Sequence, residues 1–409
     1  MTPKFFAKEI HFLKSGSKDQ EIHPPEIYYS DLSHSPSVRF TTFQERLAGT
    51  TIPDDRCICT LVQIDPQVSE ETVETAKDVF EACFNAVLDK ERGIWEHLDD
   101  TTFVLVFWDY ADEKEGLRLV NLLKDKISQR LGCDLLLGIA VHPYRDFDFD
   151  RILPNALKAF DHAAFFGHGH TVSFDGISLN ISGDRLFQLG KYDEAIQEYK
   201  LGLAIDPKNI NLLNSLGVSY GITDQLDLAL ETFELAWNIS PEEVMVIYNI
   251  GLIHRIKENE DKSILYLKKA HGINPDIFEV ELLLGHLLFK QGRVDQSVSH
   301  LEAATRINPA SGTAFRILGQ ILLDKNDPAA AAAQFNLAVK NNPLDAQALS
   351  GYAKAMGLQN RNLSIALSFA RKARDIDPEN TDYEAVLEEI QERYDAHQAR
   401  RGDKTIKSA

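Results

Sequence analysis

Four cysteines, a pair of closely spaced histidines and a few paired acids are the residues of this chain whose types could do chemistry. Cys57 and Cys59 form a C-x-C pair, with Cys83 and Cys133 far away in sequence. A structural zinc site needs two such pairs, or histidines at fixed spacing, and neither accompanies this one. The Cys57 and Cys59 side chains are expected on opposite faces of a strand, so all four cysteines read as buried or half-buried thiols in a reducing compartment. His168 and His170 flank Gly169 with no third ligand nearby and read as loop histidines. An Arg401-Gly402-Asp403 triplet near the end of the sequence could signal adhesion, but in a cytoplasmic tail it reads as part of a frayed end.

The elements that must position any site are set by length and pattern. At 409 residues the chain is too long for one core, so two or three domains are expected. Its 44% hydrophobic and 26% charged content is that of an ordinary soluble protein. No apolar run approaches the roughly 18–20 residues that span a bilayer. Lys and Glu interrupt every short apolar patch of the first 25 residues, which argues against a secretory signal and for a cytoplasmic location. The net charge of −19 divides into −12 over residues 1–175 (18 basic, 30 acidic) and −7 over the remainder. Neither half offers the basic face that a phosphate backbone or an anionic membrane requires, so nucleic-acid binding and membrane insertion are not expected.

Two ladders run in phase through the second half. Prolines fall at 207, 241, 275, 309, 343 and 378, and small residues at Gly183, Gly217, Gly251, Gly285, Gly319 and Ala353, both with a step of 34 residues (35 at the last proline). Within one unit, a first helix carries Leu213, Leu216, Gly217 and Tyr220 on one face, and a turn follows at 223–226. A second helix then carries Ala229, Phe233 and Ala236 at helical spacing, and Pro241 ends it. One such hairpin cannot bury its apolar face alone, so copies must stack. The pattern resembles the tetratricopeptide repeat (TPR). Early in the second helix stand Ala195, Ala229, Ser263, Ser297, Ala331 and Ala366; later come Gly202, Ala236, Ala270, Ala304, Ala338 and Ala373. Leu267 and Leu301 replace the second-helix aromatic of the pattern, and the sixth unit has one extra residue near 359–362. Six repeats are read over 176–378, a polar capping helix over 379–399 and a flexible tail over 400–409.

Residues 1–55 have little periodicity and read as an extended or partly ordered arm. Residues 56–175 alternate strands and helices: strand 57–64, helix 69–89, strand 103–108, helix 113–131, strand 135–141, helix 149–166 and a short strand 171–174, an α/β or α+β sandwich. The phrases WEHLDDTTFVLVFWD, LLLGIAVHPYRD and LKAFDHAAFFGHGHTVSFD, with Gly138, Ala140, Asp161 and Ala163 at matching places, resemble the diguanylate cyclase (GGDEF) domain and related nucleotide cyclases. The resemblance implies acidic residues that hold two divalent ions and glycines at the signature turn. Here the turn reads Asp99-Asp100-Thr101-Thr102-Phe103, and the first-strand acid falls on Gln63, or on Asp65 if the register slips by two. The phosphate-reaching Lys and the upstream R-x-x-D motif have no counterpart, Lys90 and Gly93 standing at the latter's positions. A degenerate, non-catalytic domain is therefore expected, with Asp65, Asp99 and Asp100 as a solvated turn or at most a makeshift cation site.

The leading expectation is a cytoplasmic adaptor, not an enzyme, with no metal and no cofactor. A partner protein or peptide segment, amphipathic or acidic, would lie in the concave groove of the repeats. The TPR register implies groove positions Tyr248, Leu252, Arg255, Leu282, His286, Phe289, Arg316, Gln320 and Leu323, with Lys290 and Lys354 at the edges. Even so, Leu252 and Leu282 could equally pack against a neighbouring helix. The carboxylate clamp of chaperone-tail TPRs is not formed, since Asp184 and Val218 occupy its places. The cyclase-like domain would be a second docking unit, with homodimerisation left open. Two alternatives stand beside this one: a nucleotide sensor whose inactive domain regulates the repeats, and an active nucleotidyl cyclase.

Overall fold

The computed structural model describes residues 9, 11–14, 25–52, 56–65, 67–88 and 91–406. Two compact units divide the chain: Lys14–Asp224, and Gln225–Ala409 together with Met1–Leu13.

In the first unit, β1 (Cys57–Ile64), β2 (Gly93–His97), β3 (Thr102–Trp108), β4 (Leu135–His142) and β5 (Thr171–Ser173) form one sheet in the order β2-β3-β1-β4-β5. β1 runs antiparallel to β3 and β4, β2 antiparallel to β3, and β5 joins β4 in parallel. Through β4 this is the split βαβ arrangement. Side chains alternate between the faces. Ile58, Val62, Phe103, Leu105 and Leu137 pack under α2 (Glu70–Leu88) and α3 (Glu113–Leu131). Cys57, Cys59, Leu61, Val104 and Val106 pack on the other face, under α1 (Val38–Ala48) and α4 (Ile152–Ala164). Gly138 is required where α4 crosses β4, since a Cβ there would come within 2.1 Å of the Phe160 nitrogen.

Two expectations are corrected here. Cys57 and Cys59 share one face of the sheet, because residues two apart along a strand point the same way. Both are buried, as is Cys83, while Cys133 is half-buried; none is disulfide-bonded, and burial raises the Cys59 thiol well above its usual range. The second correction concerns 1–55. Residues 38–48, expected in an extended arm, form α1, capped by the Ser37 hydroxyl accepting from the Phe40 N–H, with Phe40 and Phe43 fully buried against the sheet. Residues 1–8, 10, 15–24 and 53–55 of that arm lie outside the described residues.

The expected boundary at 175/176 coincides with the start of the first helical hairpin, and that hairpin belongs to the same compact unit as the α/β core. α5 (Gly176–Gln188) and α6 (Tyr192–Ile205) pack on the α/β core through Leu179, Leu201 and Ile205. Lys158 of α4 meets Glu198 of α6 at 2.6 Å, both nearly buried. The first hairpin of a stack has an apolar outer face that must be covered, and α4 covers it. α7 (Ile210–Ile222) closes this unit.

The second unit continues the alternation: α8 (Leu226–Ile239), α9 (Val244–Ile256), α10 (Glu260–Ile273), α11 (Phe278–Lys290), α12 (Val294–Ile307), α13 (Gly312–Asp324), α14 (Pro328–Asn341), α15 (Ala346–Leu358), α16 (Leu363–Ile376) and α17 (Thr381–Ile406). The 34-residue glycine ladder has a packing reason. A Cβ on Gly285 of α11 would stand 2.8 Å from Leu301 of α12, so the small residue lets the paired helices approach. Leu387 and Ile390 of α17 cover Ala353, Met356 and Leu367 of the last pair. α17 runs to Ile406, into the stretch expected to be a flexible tail, and residues 407–409 lie outside the described residues.

Candidate protein-interaction groove

The β2–β3 corner of the α/β unit, where the resemblance read from the sequence implied metal-binding acids, is closed by its own polar groups. Asp99 Oδ1 accepts from the N–H groups of Thr101 and Thr102 at 2.9 and 2.8 Å, which makes the β2–β3 turn. Its Oδ2 accepts from the Tyr29 hydroxyl at 2.6 Å. Gln63, at the position of the first-strand acid, donates to Tyr29 Oη at 3.1 Å and to Thr102 Oγ1 at 3.0 Å. Asp65 Oδ1 accepts from the Gln67 N–H, and Asp100 is exposed. The three acids do not converge on one point. Asp161, another position of the resemblance, is fully buried and accepts from the Tyr29 and Ser30 N–H groups at 2.7 and 3.0 Å. Burial pushes its carboxyl up to about 7. His170 turns back on the carbonyl of Gly167, as a loop histidine does.

In the second unit the inner helices of successive pairs, α9, α11, α13 and α15, carry the residues read from the repeat register. Six of them line one cavity of about 560 Å³: His286 and Phe289 from α11, Arg316, Gln320 and Leu323 from α13, and Lys354 from α15. α17 forms the remaining wall with Asp382, Tyr383, Val386 and Glu389. Arg316 is held by Asp345 at 3.1 Å, and Lys290 is exposed and paired with Glu260 at 2.5 Å. Burial, with Arg255, Arg316 and Lys290 adding positive charge, lowers the His286 imidazole to about 4. Its Nδ1 is buried without a hydrogen-bond partner among the described residues.

The structure separates the other sequence-read positions from this cavity. Tyr248, Leu252 and Leu282 are fully buried in the helix-stack core, which leaves them no open surface. For Leu252 and Leu282 this is the packing alternative. Tyr248 is covered by the N-terminal segment, whose Phe12 and Leu13 lie on the same cluster, and the Tyr248 hydroxyl donates to the His11 carbonyl at 3.0 Å. Arg255 is half-buried, and burial lowers its guanidinium from the usual value.

One cluster was not read from the sequence. His271, Glu281 and His300 come together from α10, α11 and α12, with ligand-type atoms all within 4.8 Å of one another. Glu281 is fully buried, and its oxygens meet His271 Nδ1 at 2.5 Å and His300 Nδ1 at 2.7 Å. These residue types could hold a divalent ion, yet each carboxylate oxygen already has an imidazole partner. Their spacing follows no ligand motif, so only the superposition of three helices reveals them.

Sequence models of the tetratricopeptide repeat match residues 183–221, 246–277, 282–346 and 322–381. The C-terminal region carries tetratricopeptide repeats. Solved TPR-type structures are similar at low identity. PilF of Pseudomonas aeruginosa is 17% identical, with 52% of this chain and 97% of that one covered at a TM-score of 0.49. PilW, a type IV pilus biogenesis factor, is 20% identical, with 52% and 98% covered at 0.45. YrrB, described as a TPR protein with an unusual peptide-binding site, is 17% identical, with 46% and 97% covered at 0.41. No curated protein matches the chain. Among the described residues, no helix is long and apolar enough to cross a membrane.

Within these tetratricopeptide repeats the register did not single out Asn249. It stands in α9 beside Tyr248, in the run VMVIYNIGLIHRI, as the one uncharged amide among apolar neighbours. That local break in hydrophobicity was the available signal, because a buried amide needs partners. The structure supplies them from the N-terminal segment: Asn249 Oδ1 accepts from the Leu13 N–H at 2.9 Å and Nδ2 donates to the Leu13 carbonyl at 2.8 Å.

Proposed function

We propose that the chain is a non-catalytic adaptor that holds a segment of a partner protein along the inner helices of its tetratricopeptide repeats. One observation carries this reading: the cavity of about 560 Å³ on which α11, α13, α15 and α17 converge. Its wall combines Phe289, Leu323 and Val386 with Arg316, Gln320 and Lys354, an apolar floor with polar groups at its margin. That is the composition with which a groove takes an amphipathic segment. Arg316 and Lys354 on one side and Asp382 and Glu389 on the other make a rim of mixed charge, which suits a segment with charged side chains beside its apolar ones. The buried, unpartnered Nδ1 of His286 offers one more polar contact.

The α/β unit, with its cyclase-like strand and helix order, serves in this reading as a second docking or dimerising element rather than as a catalyst. Gln63, Thr102 and Tyr29 fill the corner that metal-binding acids would need, which supports a non-catalytic role over a nucleotide cyclase. The expected location is the cytoplasm.

A photo-crosslinking residue at Gln320, exposed at the cavity, should capture a partner polypeptide in an extract of the source cells. The same residue at Leu265, exposed on α10, should not. Equal capture from both positions, or capture from Leu265 alone, refutes the groove as the binding surface.

A further inference from the structure

We propose that Glu9 and residues 11–13 are a built-in ligand of the repeats, and that the partner segment competing for this place is an extended peptide with an acidic residue three positions before a Phe-Leu pair. The inference rests on the adaptor reading and adds to its cavity a neighbouring stretch of the same repeats, α9 and the N-terminus of α13, which the arm covers.

Backbone recognition comes first. Asn249 holds Leu13 by both its N–H and its carbonyl, at 2.9 and 2.8 Å, as a neighbouring β-strand would. Tyr248 donates to the carbonyl of His11 at 3.0 Å. Residues 11–13 have no regular structure of their own, so these bonds hold the backbone itself, whatever its side chains are.

Side-chain recognition is added at two points. The Phe12 ring stacks on Phe233 of α8 with centroids 6.3 Å apart, and Phe12 and Leu13 pack on the core cluster that contains Tyr248 and Leu252. At the other end, the Glu9 carboxylate sits at the N-terminus of α13. It accepts from the Ser311 hydroxyl at 2.6 Å and from the Thr313 N–H at a longer 3.4 Å. Ser311 is itself fully buried and caps α13 by accepting from the Ala314 N–H. A helix N-terminus carries partial positive charge and free N–H groups, so it selects an anion there. The segment therefore supplies backbone, aromatic and carboxylate contacts at three separated points, which a coincidental crossing of chain over helix would not.

Because the segment is tethered, its local concentration at the groove is high, and a free peptide of the same chemistry competes against it. Release of Glu9 and residues 11–13 is the step that exposes Asn249, Tyr248 and the α13 terminus to a partner. The arm is thus a brake on the binding that the repeats perform.

A fluorescent peptide of residues 5–16 tests this by anisotropy titration, against the full chain and against the chain lacking residues 1–13. The peptide should bind the truncated chain at least roughly tenfold more tightly, and Asn249→Ala in that chain should weaken it by a similar factor. A peptide carrying Glu9→Lys and Phe12→Ala should not bind. If circular dichroism shows the truncated chain to be unfolded, the full chain carrying Glu9→Lys and Phe12→Ala replaces it and should bind the wild-type peptide where the unmodified chain does not. No binding to the opened groove, or equal binding to open and closed forms, overturns the proposal. Failure here with capture from Gln320 intact removes the arm as ligand and leaves the groove reading standing. Peptide binding without capture from Gln320 does the reverse.

Discussion

The β2–β3 corner of the α/β unit and the cavity of the repeats are both places where polar side chains gather, and they differ in where those side chains point. At the corner Asp99, Gln63, Thr102 and Tyr29 satisfy one another, at distances of 2.6 to 3.1 Å. In the cavity, Gln320 and Lys354 are exposed, and His286 keeps a buried nitrogen without a partner among the described residues. A cluster whose groups satisfy each other holds a fold together, whereas one whose groups converge on open space is available to a ligand. Acid count alone would have ranked the two in the opposite order.

The comparison breaks most visibly at Asp99. Asp99→Ala strands two turn N–H groups and the half-buried Tyr29 hydroxyl network, and should cost about 3 kcal/mol or more in denaturant unfolding. Partner capture by the repeats should survive wherever the protein remains folded. A variant of wild-type stability that has lost a nucleotide-dependent activity would instead make the corner a working site.

A smaller effect is expected at His286. Its folded-state value of about 4 lies below the ordinary imidazole value near 6.5, so the fold prefers the neutral ring. Its contribution is complete above about pH 6.5 and is lost as the pH falls from there toward 4, about 3 kcal/mol in all. Denaturant midpoints between pH 7 and pH 4.5 should show this slope, and His286→Gln should flatten it. An equal slope in the variant would place the titrating group elsewhere.

The smallest effect belongs to Asp100, which is exposed. Asp100→Ala should change stability by less than about 0.5 kcal/mol, and neither it nor the wild type should show magnesium- or manganese-dependent triphosphate turnover. Turnover in the wild type that this change abolishes would revive the cyclase alternative.

Much of the repeat architecture was legible because it rests on local steric demands repeated at a fixed step. A glycine opposite Leu301, or an alanine or serine early in each second helix, recurs wherever two helices must touch. The strands β1, β3 and β4 were legible as apolar runs. α1 was missed although Phe40, Phe43 and Leu47 share a helical face, because a single 11-residue helix in a polar stretch carries no repeat to confirm it. The short β2 was also absent from the elements read, since Gly-Ile-Trp-Glu-His has only one β-branched residue. Phe289, Gln320 and Leu323, which the register places on the inner helices, line the cavity. The burial of Tyr248 was not legible, because what covers it lies 237 residues away in sequence. Contacts of that range leave no trace in local pattern, and the cluster of His271, Glu281 and His300 was hidden for the same reason.

The central claim, that the cavity between α11 and α17 holds the partner, is tested most directly by Phe289→Ala combined with Leu323→Ala. Both side chains are half-buried at the cavity wall, so the helical melt should shift only slightly. Affinity for the partner segment captured from Gln320, measured by titration, should fall at least roughly tenfold, about 1.4 kcal/mol. Wild-type affinity in the folded double variant would contradict the account.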